Sequence, residues 1–168
     1  FWLTWTTGLT LFVMVFPGIT GMLEIRHHAA TPVDVLVSVQ GSRYFWIATY
    51  PEQGIQTARE LVLPIGKHVR FEVTSTDVLH SFWIPAFRVK IDAVPGMVTT
   101  TSATPTQTGD FEADPQFRLQ CAELCGLDHN RMRLPVRVVS ETAFDAWVAT
   151  QPRQAPLGGR EVVQYGNA

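Results

Sequence analysis

The sequence predicts an all-β domain, a sandwich or barrel of Greek-key type, with one membrane-spanning helix in front of it. Residues 1–23 carry no charged side chain. From residue 33 onward, apolar and polar residues alternate with period two, and turns containing proline or glycine separate the alternating segments. A length of 168 residues and a net charge of −2 suit one folded domain with a short appendage, and give no basic excess that would indicate a nucleic-acid partner.

Residues 1–28 are the predicted transmembrane helix and its exit from the membrane. At ~1.5 Å per residue, about twenty helical residues cross a hydrocarbon core of ~30 Å. Trp2 and Trp5 near one end, and Glu24 and Arg26 at the other, are typical of membrane interfaces. A buried helix of a soluble protein is the alternative. A signal peptide is disfavoured because the segment has neither a basic start nor a small-residue cleavage site.

The alternating segments predict the strands. Residues 33–40 give the clearest one, with valine at every second position. Further strands are predicted at residues 44–50, 69–73, 117–121 and 134–139, and turns at residues 51–54, 64–66, 95–96 and 105–110.

A helix is predicted at residues 140–150, after the strands. Ser140 is a suitable N-cap, Glu141 lies in the first turn, and Phe144, Trp147 and Val148 share one face. Residues 151–159 contain two prolines, two glycines and no aromatic residue, so they predict a linker.

The residues that carry chemistry lie in one stretch, residues 121–132, which has the order Cys-Ala-Glu-Leu-Cys-Gly-Leu-Asp-His-Asn-Arg-Met. Thiolate, imidazole and thioether donors favour copper. A mononuclear copper site of the electron-transfer type needs one Cys and two His. Two Cys four residues apart allow more, because both thiolates can bridge two copper ions while His80, upstream, caps the second ion.

Each of these residues also has an ordinary structural explanation. Cys121 and Cys125 could form a disulfide or be two buried thiols, Met132 could fill the core, His129 could be a surface residue, and Glu123 could be a solvated charge. Their coincidence in one short segment favours a metal site. Zinc is the second candidate metal, although zinc sites seldom include Met and favour a shorter Cys spacing.

Three segments carry a family resemblance: Asp-Val-Leu-His-Ser-Phe at residues 77–82, Lys-Ile-Asp-Ala-Val-Pro-Gly at residues 90–96, and the Cys-x-Glu-x-Cys-Gly-x-x-His-x-x-Met motif. The chain resembles subunit II of the haem–copper cytochrome c oxidases from its N-terminal helix to about residue 150. The resemblance implies a cupredoxin-like Greek-key barrel over residues 29–150, on the outer side of a cell membrane, with the bacterial inner membrane expected. This domain holds the dinuclear CuA centre.

The resemblance also implies the ligands of that centre. The side-chain ligands are His80, Cys121, Cys125, His129 and Met132. Glu123 contributes its backbone carbonyl, while its carboxylate faces subunit I and helps to bind a magnesium ion there. Asp77 and Ser81 flank His80 and are candidates for the layer of residues around the ligands.

The implied function is electron transfer within a proton-translocating oxidase of the respiratory chain. Electrons pass from cytochrome c through CuA to a haem of subunit I, where oxygen is reduced to water. Tyr44 and Trp46 stand where the family has aromatic residues that accept the electron, although Tyr44 replaces a Trp, and strand packing is the alternative role. Asp92 and Glu123 are expected at the contact with subunit I.

Two other functions remain open at this point. One is the CuA domain of a nitrous-oxide reductase, which Glu123 and the N-terminal helix argue against. The other is a copper-free subunit II of a quinol oxidase, which the complete set of ligand positions argues against.

The two ends of the chain differ from the usual family pattern. Subunit II usually has two transmembrane helices, and this sequence shows one, so we expect either a first helix before Phe1 or a one-helix subunit. Residues 158–168 resemble the opening helix of c-type cytochrome domains. Residues 151–168 are therefore expected to be a linker and the start of a fused cytochrome c domain, with haem c as its cofactor; an ordinary C-terminus is the alternative.

Overall fold

The computed structural model describes residues 1–153, except for the side chains of His28 and Ala29. The chain divides into two compact units, Phe1–Pro32 and the residues from Val33 onward. The predicted linker is described only over its first three residues. The expected start of a cytochrome domain lies outside the described residues.

The first unit is a single helix, α1 (Trp2–Ala30). Its segment Trp2–His27 is long and apolar enough to cross a membrane. The hydroxyls of Thr6 and Thr20 donate to the carbonyls of Trp2 and Phe16, four residues earlier, at 2.8 and 2.9 Å. These polar side chains are thereby satisfied within the helix itself, as a hydrocarbon environment requires.

The second unit contains eleven strands within the described residues: β1 (Val35–Ser42), β2 (Phe45–Tyr50), β3 (Ile55–Thr57), β4 (Leu61–Pro64), β5 (Val69–Ser75), β6 (His80–Ile84), β7 (Val89–Ala93), β8 (Thr99–Ala103), β9 (Gly109–Asp110), β10 (Arg118–Cys121) and β11 (Arg133–Val139). The strands form two sheets. Over residues 1–153, one sheet has the order β3-β2-β1-β5-β8, and the other has the order β4-β11-β10-β6-β7 with β9 beside β11.

Two strand pairs are parallel, β1 with β5 and β4 with β11, whereas their neighbours pair antiparallel. Side chains that alternate along these strands form the core, with Val35, Val37 and Val39 of β1 buried and the residues between them at least partly exposed. The largest fully buried side chains include Trp46, Tyr50, Phe71, Phe82 and Leu119. The predicted all-β class is therefore confirmed.

Two of the strands that the sequence did not predict, β4 and β8, lack the alternation on which the prediction depended, whereas β3 and β7 alternate but were not recognised. All four residues of β4 are buried, because the strand is covered on both faces. The residues of β8 are Thr-Thr-Thr-Ser-Ala, which carry no apolar pattern. Two predicted turns were also too wide, since Pro64 ends β4 and residues 109–110 form β9 against β11.

The second helix, α2 (Glu141–Thr150), confirms the predicted helix. The Ser140 hydroxyl accepts the Ala143 N–H at 3.3 Å, as an N-cap does. The Trp147 ring packs on Tyr50 at 5.4 Å between centroids, and its Nε1–H donates to the Glu60 carboxylate at 3.0 Å. Arg137 of β11 donates to the same carboxylate at 3.0 and 3.1 Å, so Glu60 joins the helix to the sheet.

Tyr50 offers a test of this packing. Its buried hydroxyl donates to the Val62 carbonyl at 2.9 Å and accepts the Val62 N–H at 3.0 Å. Tyr50→Phe leaves both buried backbone groups without this partner, so we expect a loss of about 1–3 kcal/mol in the free energy of unfolding. Urea unfolding of the full chain in detergent, followed by tryptophan fluorescence, measures it.

The control for Tyr50→Phe is Thr100→Val, which removes a hydroxyl from an exposed position of β8. We expect this control to change the free energy of unfolding by less than about 0.5 kcal/mol. Equal stability of Tyr50→Phe and the wild-type chain would contradict the role given to the hydroxyl.

Candidate metal centre

Residues 121–132 form a loop that joins β10 to β11 and is closed on itself. The Cys121 N–H donates to the Met132 carbonyl at 3.0 Å, so the two ends of the loop meet. The Ala122 N–H donates to the Ser81 carbonyl at 2.9 Å, which fixes the loop to the start of β6. Gly126 has φ +132°, a conformation that side-chain-bearing residues rarely adopt, and it lets the loop turn directly after Cys125.

The sulfurs of Cys121 and Cys125 lie 3.8 Å apart, and both residues are free cysteines. A disulfide bond would need about 2.05 Å between the sulfurs. The separation is instead less than twice a metal–thiolate bond of about 2.3 Å, so one ion can contact both thiolates. The side chains are buried, with 2% and 6% of their residues' surface exposed.

Each thiol has an imidazole nitrogen and one further donor close to it. His80 Nδ1 lies 3.7 Å from the Cys121 sulfur, and the Glu123 carbonyl lies 3.2 Å from it. On the other side, His129 Nδ1 lies 3.5 Å from the Cys125 sulfur, and the Met132 sulfur lies 3.8 Å from it. The loop and β6 thus bring together all six residues for which the sequence predicted a metal role.

These donors fit copper. Two Cys and two His alone would also suit a tetrahedral zinc ion, but a thioether and a carbonyl lie at the same sulfur pair, and the soft thioether favours copper. Burial, with the neighbouring Cys121 as a second cause, raises the pKa of Cys125 to about 12. In the metal-free chain the thiol therefore keeps its proton at neutral pH, and a metal ion must displace it on binding.

Asp77 orients His80 from behind. Its Oδ1 lies 2.8 Å from His80 Nε2, and its Oδ2 accepts the Arg43 N–H at 2.9 Å and the Arg43 Nε–H at 3.1 Å. Burial alone would raise the pKa of Asp77, but the hydrogen bonds from His80, Arg43 and the Val78 N–H hold it below its usual range. An ionised carboxylate at this distance favours the tautomer with the proton on Nε2, in which the Nδ1 lone pair faces the thiols.

The wall behind His80 is apolar and closely packed. The Trp46 ring lies 6.0 Å from the His80 ring, between centroids, and Trp46 is 1% exposed. Gly41 makes this contact possible, since an added Cβ would lie 2.9 Å from the Trp46 ring and 3.2 Å from His80. Neither Gly41 nor Arg43 was predicted, because their roles depend on contacts with His80 and Asp77, which are distant in sequence.

The structure separates the two residues predicted to accept electrons. Trp46 is enclosed in the core, while Tyr44 is partly exposed and its hydroxyl accepts the Leu127 N–H at 3.1 Å. On the surface beside them, Leu124 and Leu127 of the loop are largely exposed, and Phe45 is 45% exposed. The outside of this end of the domain therefore carries exposed apolar side chains together with the exposed charges of Asp128 and Arg131.

The remaining predicted residues lie on β6 and β7. Ser81 is buried and donates to the Ile91 carbonyl at 3.3 Å, so its hydroxyl joins β6 to β7. Asp92 pairs with Ser81 across the two strands. Its carboxylate is about half exposed and lies 3.7 Å from the Lys90 ammonium.

Comparison with known proteins gives the family. A family profile for the periplasmic domain of cytochrome c oxidase subunit II matches residues 47–139. Cytochrome c oxidase subunit 2 of Thermostichus vulcanus is 40% identical over 139 residues, which cover 79% of this chain and 40% of that protein. Alternative cytochrome c oxidase subunit 2 of Bradyrhizobium diazoefficiens is 34% identical over 194 residues, 96% of this chain and 66% of the relative.

A solved structure agrees with these relatives. The crystal structure of the periplasmic domain of cytochrome oxidase subunit II from Bradyrhizobium japonicum superposes with a TM-score of 0.66 at 34% identity, covering 72% of this chain and 95% of that one. The chain thus spans 40% and 66% of the lengths of the two relatives above. Through the profile match, which covers more than half of its residues, the chain belongs to the cytochrome c oxidase subunit II family.

Proposed function

We propose that this chain is the electron-transfer subunit of a respiratory haem–copper oxidase. In this proposal, electrons pass from cytochrome c through a dinuclear copper centre to a haem of the partner subunit, where oxygen is reduced to water. The observation that supports it best is the pair of buried sulfurs 3.8 Å apart, each with its own imidazole nitrogen within 4 Å. The Met132 thioether and the Glu123 carbonyl bring the set to six donors, more than the four that a single tetrahedral ion takes.

The proposed copper ligands are the side chains of His80, Cys121, Cys125, His129 and Met132 and the carbonyl of Glu123. When bound, the dinuclear centre supplies a one-electron carrier whose change in charge is shared by two ions. The protein contributes a fixed geometry, because the loop is closed by backbone hydrogen bonds at Cys121 and Ala122. The buried thiols and the fully buried Met132 keep water away from the centre, which limits solvent rearrangement on electron transfer.

Tyr44 and Trp46 are the proposed electron-accepting residues, with different tasks. The partial exposure of Tyr44 supports a contact with the donor, whereas buried Trp46 supports a role only as the ring behind His80. Phe45 follows Tyr44 in the chain, and the Leu127 N–H donates to the Tyr44 hydroxyl. Both residues are exposed and apolar, as is Leu124 of the same loop.

The periplasmic domain and the N-terminal apolar helix make this a membrane-anchored oxidase subunit with an outward-facing domain. We place it more specifically in a bacterial inner membrane. The partner is proposed to be the haem-bearing subunit I, with a magnesium ion shared through the Glu123 carboxylate. A cytochrome c domain fused after residue 168 is our proposal for a tethered donor, since a linker raises its effective concentration to about the millimolar range.

The two alternative functions have less support. A copper-free quinol-oxidase subunit needs none of the donors that surround the thiols here. A nitrous-oxide reductase domain shares the metal loop, but the relatives named above are oxidase subunits.

The thiols provide the first test of the proposal. Cys121→Ser and Cys125→Ser should each abolish the dinuclear centre, because in this proposal each thiolate would be shared by both ions. We expect two coppers per chain in the wild type and loss of the mixed-valence spectrum in both variants, with β-sheet content unchanged by circular dichroism. Ala122→Ser, which adds a hydroxyl to the same loop without removing a thiol, is the control. A variant that keeps an electron spread over two coppers would show that the bridging assignment is wrong.

Met132 is expected to tune the centre more than to anchor it. Met132→Leu should leave a folded domain that still binds copper, with a raised reduction potential and slower electron transfer, because loss of a weak donor destabilises the oxidised state. Voltammetry of the copper-loaded chain measures the potential. Met97→Leu, the same change at an exposed position, should leave the potential unchanged. Copper-free, unfolded Met132→Leu protein would contradict this role.

The proposed contact with subunit I predicts a change in exposure. In the isolated chain, carbodiimide should label the carboxylates of Asp92 and Glu123, both of which are at least partly exposed. In the assembled oxidase the same labelling should be suppressed, while exposed Glu112 remains labelled as the control. Equal labelling of Asp92 and Glu123 in both states, measured by peptide mass spectrometry, is the result that would place them on open solvent.

A further inference from the structure

We propose that Arg43 and Tyr44, the two residues of the turn between β1 and β2, are positioning residues that tie together the two segments bearing the metal ligands. One segment carries Asp77 and His80, and the other is the loop of residues 121–132. This inference rests on the proposed copper site and extends it to residues that do not touch the metal. Its consequence is slower loss of bound copper.

Arg43 holds the segment that carries His80. Its backbone N–H and its Nε–H both donate to Asp77 Oδ2, at 2.9 and 3.1 Å. The other carboxylate oxygen of Asp77 lies 2.8 Å from His80 Nε2. The Asp77 carboxylate therefore connects the turn to the His80 imidazole. The orientation of the ring depends on the position of that carboxylate, which Arg43 fixes.

Tyr44 holds the loop that carries the thiols. Its hydroxyl accepts the Leu127 N–H at 3.1 Å, two residues after Cys125. Gly126 lies against the same hydroxyl so closely that an added Cβ would be 2.5 Å from the oxygen. The part of the loop between the two proposed ligands Cys125 and His129 thus packs against Tyr44 and is hydrogen-bonded to it.

The turn can act as a fixed point because strand pairing secures it. Ser42 pairs with Phe45 across the hairpin, and the Gly41 carbonyl accepts the Thr76 N–H at 3.0 Å. Pairing of β10 with β6 already places Cys121 near His80, with Cys121 opposite Phe82. Cys125 and His129 lie beyond that pairing, so the Tyr44 contact governs the part of the site that the sheet does not reach.

The chemistry of the contact requires an oxygen acceptor. A Tyr hydroxyl can accept the Leu127 N–H, whereas a Trp ring offers only a donor and a Phe ring offers neither. At this position, replacement by another aromatic residue therefore retains packing and removes the hydrogen bond. This separates the positioning role of Tyr44 from any role of its ring in electron transfer.

The test uses the full chain in detergent, loaded with copper, and measures the rate of copper loss to an excess of chelator. A net hydrogen-bond contribution of the usual size predicts loss about threefold to tenfold faster in Tyr44→Phe and Tyr44→Trp. Arg43→Ala should have a smaller effect, since its backbone N–H still donates to Asp77. Phe45→Leu, a change at an exposed side chain of the same hairpin, is the matched control and should match the wild type.

A second measurement does not depend on copper or on the folding of a variant. In the metal-free wild-type chain, the Leu127 amide should exchange with deuterium more slowly than the exposed Leu124 amide of the same loop, although the Leu127 residue is 98% exposed. Equal exchange of the two amides overturns the proposal.

The remaining outcomes separate the two claims. Unchanged copper loss in Tyr44→Phe overturns the positioning role and leaves the copper site intact. Rapid loss in Tyr44→Phe with wild-type retention in Tyr44→Trp assigns the effect to ring size and also overturns it. A wild-type chain that takes up no copper overturns the proposed function, and the positioning role with it.

Discussion

The site depends on the separation of 3.8 Å between the sulfurs of Cys121 and Cys125. A disulfide would need oxidation of both thiols and a sulfur–sulfur distance of about 2.05 Å, and a much longer distance would place the thiols beyond the reach of a shared ion. The separation is maintained because Cys121 ends a central strand, while Gly126 turns the chain back and the Cys121 N–H closes the loop on the Met132 carbonyl. The other proposed ligands lie around this pair.

Buried side chains and one compensated carboxylate surround the proposed metal centre. The thiols, Met132 and the Trp46 ring exclude water from the centre. The Asp77 carboxylate contacts His80, and Arg43 compensates its charge on the side away from His80. A site that must change charge without large solvent rearrangement benefits from such an apolar, pre-formed setting, because few dipoles need to move.

The sequence indicated the proposed ligands, which the structure brings together, but it did not indicate their surroundings. Cys121, Glu123, Cys125, His129 and Met132 lie within one motif, so their proximity follows from chain connectivity. The parts that escaped prediction are non-local, since Gly41 and Arg43 act through contacts with residues more than thirty positions away. Strands such as β4 and β8 escaped because full burial or a threonine run removes the alternation that marks a half-buried strand.

The central claim is that two copper ions share one unpaired electron between the thiolates. Electron paramagnetic resonance of the copper-loaded full chain, oxidised to the mixed-valence state, tests this claim most directly, with copper per chain measured on the same sample. The account predicts hyperfine splitting from two equivalent copper nuclei. Hyperfine splitting from a single copper nucleus, or a purified chain that takes up no copper, would contradict it.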